Sequence, residues 1–140
     1  MGNAMSDLKA DLFTLKLGIN IIGGKLSNRS FEPCVIGLIE AIRRQHKKVN
    51  IIIISPIYAK NHENTKGLSQ LTLIEIREIL KQVVANYNKL GDEHIYYVDG
   101  RAILGEQDRK HMTDEVHPNQ KGQYVMAKNF IDKVINKYLF

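Results

Sequence analysis

Apolar positions along the chain switch between two periods. From Asp11 to Gly18, Phe13, Leu15 and Leu17 alternate with polar neighbours, which predicts a strand with one buried face that ends at the glycine. Glycines and polar side chains dominate the next stretch, to Asn28, and read as a loop. Ser30 stands as an N-cap, Glu32 and Pro33 suit a first turn, and Val35, Ile36, Leu38, Ile39 and Ile42 recur at helical spacing, predicting a helix to about His46. Val49 and Asn50 then lead into Ile51, Ile52, Ile53 and Ile54, a β-branched run apolar on both faces, as in a strand covered by helices on either side.

Ser55 and Pro56 close that strand, and a long polar loop passes through Asn61, His62, Asn64 and Gly67. A second helix is predicted from Ser69 or Thr72, turning Ile76, Ile79, Leu80, Val83, Val84 and Tyr87 inward and stopping at Gly91. His94–Val98 is a third strand, closed by Asp99 and Gly100. After another long loop, Pro118 or Asn119 opens a last helix with Ala127, Phe130, Ile131, Val134, Ile135 and Tyr138 on one face. Strand and helix alternating three times predict an α/β fold, a three-layer parallel sheet with right-handed crossovers. Ligands of such sheets bind beyond the C-terminal strand ends. The loops after Gly18 and Ser55 and the loop before the last helix all belong to that rim.

Composition changes this picture little. A chain of 140 residues, 44% hydrophobic and 25% charged, suits one domain with a core that needs no disulfide. The single cysteine, Cys34, sits among Pro33, Val35 and Ile36 and is expected to be a small buried side chain, which favours a reducing, cytoplasmic location. Residues 1–7, with two methionines among small polar residues, read as a vector-derived or disordered leader, leaving 8–140 as the domain. No apolar run reaches membrane-spanning length. The net charge of +5 is scattered, and its densest cluster, Arg43 to Lys48, falls where cations offset a helix C-terminus, so no nucleic-acid partner is expected. His62, His94, His111, His117 and Asp114 lack the compact spacing of a metal site, and no metal or organic cofactor is expected.

Candidate chemistry centres on Asp114-Glu115-Val116-His117, just ahead of the last helix. A carboxylate three residues before an imidazole can hold one ring nitrogen and free the other for proton transfer. The second candidate is Gly18-Ile19-Asn20, at the end of the first strand. By themselves these residues have plainer readings: His117 as a helix cap, Asn20 as a turn cap.

Taken together and in this order, Gly18-Ile19-Asn20, Ser55-Pro56 and Asp114-x-x-His117 resemble sequence blocks of the SGNH (GDSL-type) hydrolases, from about Leu8 to the C-terminus. The resemblance implies a flavodoxin-like SGNH fold and acyl-ester hydrolysis through an acyl-serine. In it His117 is the general base, Asp114 orients its imidazole, Asn20 is an oxyanion-hole donor, and Gly18 allows the turn. The chain departs from the pattern in three ways. Ile21 stands where an aspartate commonly follows the asparagine, and both the Gly-Asp-Ser block and the block with an oxyanion-hole glycine are absent. Ser55 comes nearest to a nucleophile, but Pro56 removes the following N–H. The chain is therefore expected to represent an ester hydrolase truncated before its nucleophilic serine, lacking the N-terminal strands and inactive alone. The alternative is a non-catalytic binding protein derived from that fold. An exposed edge at strand 11–18, with Phe13, Leu15 and Leu17 as an apolar patch, predicts a homodimer.

Overall fold

The computed structural model describes residues 2–139. A short helix, α1 (Gly2–Ser6), lies against the main body, so the leader region carries an element that the sequence pattern did not predict. Strand β1 (Leu12–Lys16) follows, then helix α2 (Phe31–Arg43), strand β2 (Asn50–Ile54), a single turn α3 (Lys60–Glu63), helix α4 (Leu73–Lys89), strand β3 (Ile95–Val98) and helix α5 (Gln120–Phe130). A π turn over Ile131–Ile135 leads into α6 (Asn136–Tyr138). The strands form one parallel sheet in the order β1-β2-β3, with Phe13, Ile51 and Ile95 in register.

Side chains alternate across the strands and so build two cores. Phe13, Leu15, Ile51, Ile53 and Ile95 face α2 and α4, which contribute Val35, Ile39, Ile42, Ile76 and Leu80. Ile52, Ile54 and Val98 face the opposite layer, where Ile103, Leu104, Met126, Phe130 and Val134 cover them. The β2 isoleucines are buried on both faces, as their unbroken run requires. Phe13 and Leu15 are equally buried, so the apolar patch expected on β1 is part of the core. The edge itself is real: among the described residues β1 pairs only with β2.

Several boundaries have a local cause. Helix α4 starts in a reciprocal cap, with Glu75 N–H donating to Thr72 Oγ1 at 3.2 Å and Thr72 N–H donating to Glu75 Oε2 at 2.8 Å. Ser30 caps differently from expectation: its Oγ accepts from Ser27 N–H at 2.9 Å and makes no bond into α2. At the other end of α2, Arg43 donates to the carbonyls of His46, Val49 and His94 and pairs with Asp92 at 2.7 Å, which ties helix end to strand starts. Cys34 is exposed on α2, contrary to the burial expected from its apolar neighbours, because the helical phase turns Val35 and Ile39 inward instead. The inward face of the last helix also differs. Val134 is buried in the π turn while Ile131, at its start, is half-exposed, and Ala127 in the preceding α-helical part is exposed.

Candidate active site

Strand β1 ends at Gly18, whose φ of 107° lies in the left-handed region. A Cβ there would also stand 2.5 Å from Ile76 Cγ2 and 3.1 Å from Pro56 Cγ, so glycine is required twice over. The chain then winds through a 3-10 turn over Ile19–Gly23. Ile21 and Ile22 are buried and pin this turn from below. Ile21 thereby anchors by packing the turn whose aspartate it replaces. The turn is closed by backbone bonds, Ile21 N–H to Gly18 O and Gly24 N–H to Ile21 O. Among the described residues Asn20 has no side-chain hydrogen bond, so it does not cap the turn and its amide is presented to solvent.

The loop before α5 is closed by its own hydrogen bonds. Thr113 N–H donates to His117 O at 2.7 Å and Asn119 N–H donates to His111 O at 2.8 Å, and Met112 bridges Pro118. Gly122 N–H donates to the Asn119 side chain at 3.0 Å, so Asn119 caps α5 and His117 does not. Within the loop, Asp114 Oδ1 accepts the N–H groups of Val116 and His117, at 3.2 and 2.8 Å. Its Oδ2 lies 2.8 Å from His117 Nδ1. These bonds hold the Asp114 carboxyl down at about 2, chiefly through the His117 side chain and then the His117 N–H. Glu115 takes a left-handed φ of 67°, and Arg109 holds its carboxylate through two bonds, at 2.8 and 3.0 Å. With Nδ1 against Asp114, Nε2 is the ring nitrogen not engaged by the carboxylate.

Asn20 and His117 line one open cavity of about 720 Å³. Of the sequence-predicted site residues, Asn20 and His117 line this cavity, Asp114 is bonded to His117 and Gly18 starts the turn that carries Asn20, while the helix cap belongs to Asn119. The cavity also takes in His62, Lys66 and Gln70, which the motif pattern did not single out. The length and polarity of the loop after β2 were the signal for them. That loop is fixed by Arg77, buried in α4, which forks onto Glu63 at 2.6 and 2.8 Å and donates to the carbonyls of Pro56 and Ile57. No three His, Cys, Asp or Glu side chains converge as metal ligands among the described residues. His94 sits at the far end of the sheet, facing Asn50.

None of the five serines lines the cavity. Ser55 is fully buried, its Oγ accepting from Gly100 N–H and Tyr97 O–H, both at 3.0 Å. Ser69 is buried and accepts from Leu71 N–H. Ser27 and Ser30 bond to each other, and Ser6 lies on α1.

The sequence profile of the GDSL-like Lipase/Acylhydrolase family matches residues 1–136. The chain belongs to this family. Membership agrees with the solved structures of similar fold. A salicylyl-acyltransferase from a tetracycline biosynthetic pathway superposes with a TM-score of 0.85 at 23% identity, over 96% of this chain and 40% of its own. A protein described as a GDSL-like lipase from Bacteroides ovatus gives 0.75 at 20% identity, over 96% and 39%. A family two carbohydrate esterase from Clostridium thermocellum gives 0.69 at 21%, over 95% and 37%. This GDSL-family chain therefore spans about two fifths of the length of these three structures. None of the curated proteins searched matches the sequence. Among the described residues no helix is long and apolar enough to cross a membrane.

Proposed function

We propose that the chain supplies the base and oxyanion parts of an ester (acyl) hydrolase site, and that its nucleophile comes from outside these 140 residues. The observation that supports this most is His117 Nδ1 at 2.8 Å from Asp114 Oδ2, on a cavity that Asn20 also lines. In this reading His117 Nε2 takes the proton of a serine hydroxyl as its oxygen attacks the ester carbonyl. The tetrahedral oxyanion then accepts a hydrogen bond from the Asn20 amide. On collapse the C–O bond breaks, and His117 returns the proton to the leaving alcohol. Water completes hydrolysis of the acyl-serine. A second alcohol in its place would make the enzyme an acyltransferase.

Serine labelling tests the reading. The natural protein, isolated from the cells that make it, is treated with a fluorophosphonate and the labelled peptide sequenced. A label on a serine outside the 140 residues, lost in His117→Ala, supports the proposal. A label on any of the chain's own serines, Ser6, Ser27, Ser30, Ser55 or Ser69, overturns it. No label at all favours the second reading, a binding protein without catalysis, for which the absence of all five serines from the cavity lining speaks. A Gly-Asp-Ser segment in an extended reading frame would separate the two at the level of the gene.

The same reading includes assembly and location. β1 is an edge whose free N–H and C=O groups are able to pair with a second copy, and a dimer through strand 11–18 follows. An exposed thiol at Cys34 suits a reducing cytoplasmic compartment. Small acyl esters are the partners; nucleic acid and membranes are not.

A further inference from the structure

The cavity beside Asn20 and His117 has a charge pattern of its own. Lys66 is the one lining residue with a fixed charge, and no carboxylate lines the cavity. The neighbouring acids are engaged elsewhere. Asp114 is held by His117. Glu63 is locked to Arg77 inside the fold. Glu75 is bonded to Thr72 and lines a different cavity with Glu78 and Gln82; Lys66 is near enough to help hold its carboxyl down, as the smallest of several causes, but forms no ion pair with it. Lys66 itself makes no ion pair among the described residues.

Besides the uncharged polar side chains of Asn20, His62, Gln70 and His117, the wall has an apolar part. Ile22 and Val116 contribute to it, and Leu68 stands 77% exposed on the lip although it is a large aliphatic side chain. Its position is not loose. Leu68 N–H donates to Ile22 O at 2.9 Å, and a Cβ on Gly67 would stand 2.5 Å from Ile22 Cγ2, so the lip is packed directly onto the turn that carries Asn20. An apolar stretch of wall beside a cation that makes no ion pair, with no carboxylate in the lining, matches an amphipathic anion.

We infer that the cavity binds an ester whose acyl or alcohol part carries an anionic group, with its hydrocarbon against Ile22, Leu68 and Val116 and its charge on Lys66. This rests on the ester-hydrolase reading for the word ester only; the binding itself needs neither nucleophile nor turnover. At a half-open surface an ammonium within about 6 Å of an anion contributes roughly tenfold in affinity. Salt at about 0.5 M screens most of that gain.

The test is an amide-resonance NMR titration of the 140-residue chain with hexanoate and with hexanamide, which share a hydrocarbon and differ in charge. Hexanoate should shift the Ile22, Leu68 and Val116 resonances saturably, about tenfold more tightly than hexanamide. Lys66→Met should bring hexanoate down to the hexanamide level, and Lys66→Arg should restore the preference. Equal affinities in the unaltered protein, a preference that survives Lys66→Met, or shifts confined to the Arg43, Lys47 and Lys48 cluster would each overturn the inference. A failure here leaves the serine-labelling result untouched. Conversely, hexanoate binding with no labelled serine would keep the anion site and remove the ester.

Discussion

Asp114 holds His117 twice, accepting from its backbone N–H at 2.8 Å with Oδ1 and facing its Nδ1 at 2.8 Å with Oδ2. One carboxylate thus sets both the loop path and the ring orientation. The loop and the imidazole should consequently lose order together.

Acid titration reads this link. The folded Asp114 carboxyl lies at about 2, below its ordinary 3.8. A depressed carboxyl adds stability that is complete above the ordinary value and is lost as pH falls through the folded one. Order in the 113–118 loop should therefore persist near pH 4 and vanish toward pH 2, without global unfolding in step with it. Carbon-detected NMR of the Asp114 carboxyl should give a midpoint near 2 that moves up toward 3.8 in His117→Ala.

Asn20 should matter for rate and hardly at all for folding. Its side chain bonds nothing among the described residues, so Asn20→Ala should leave the urea midpoint unchanged. In a preparation that contains the nucleophile, removing one oxyanion donor should lower kcat about 10²–10³-fold with little change in KM. A drop in KM-type binding alone would point to a substrate contact in place of an oxyanion one.

Gly18→Ala tests the geometry that brings Asn20 to the rim. Alanine must take a left-handed φ and press on Ile76, and each effect costs energy, together about 2–4 kcal/mol. Urea unfolding should show that loss. Gly23→Ala, at a glycine whose added Cβ meets nothing within 4 Å, serves as the tolerant control.

Arg77→Met should be the most damaging single change outside the hydrophobic core. It leaves Glu63 buried without its partner and frees the carbonyls of Pro56 and Ile57, and breaking such a pair costs about 3–5 kcal/mol. Adding Glu63→Gln should recover part of the loss in a double-mutant cycle. A single change within experimental error of the unaltered protein would mean that the pair does not hold the loop.

Assembly is testable at the edge strand. Leu17 N–H donates to Ile54 O, so the alternate N–H groups, including that of Thr14, point away from β2. Light scattering should show a dimer at micromolar concentration, and Thr14→Pro should shift it to monomer without touching the β1–β2 ladder. Leu15 is unsuited to this test because it is part of the core.

The strands, the main helices and their order were legible because hydrophobic period is a local property of the chain. Ile51 to Ile54 can only be a strand buried on both faces, and Thr72 with Glu75 writes a helix start into four residues. Asp114 and His117 were legible for the same reason, since a three-residue spacing settles their contact through one local turn.

What lay beyond the sequence were features that depend on which surfaces meet. The inward face of the last helix was misjudged at Ile131, where a π turn departs from the regular period that the sequence pattern assumes. Cys34 was placed inside because its neighbours in sequence are apolar, but its neighbours in space are solvent. The chain by itself determined three parallel strands, their crossovers and the paired residues Asp114 and His117. The shared rim of Asn20 and His117, nearly a hundred positions apart, was implied by the strand order, but only the tertiary structure decided that Lys66, His62 and Gln70 join them on one cavity, because that depends on how the loop after β2 packs against the other two at the strand ends.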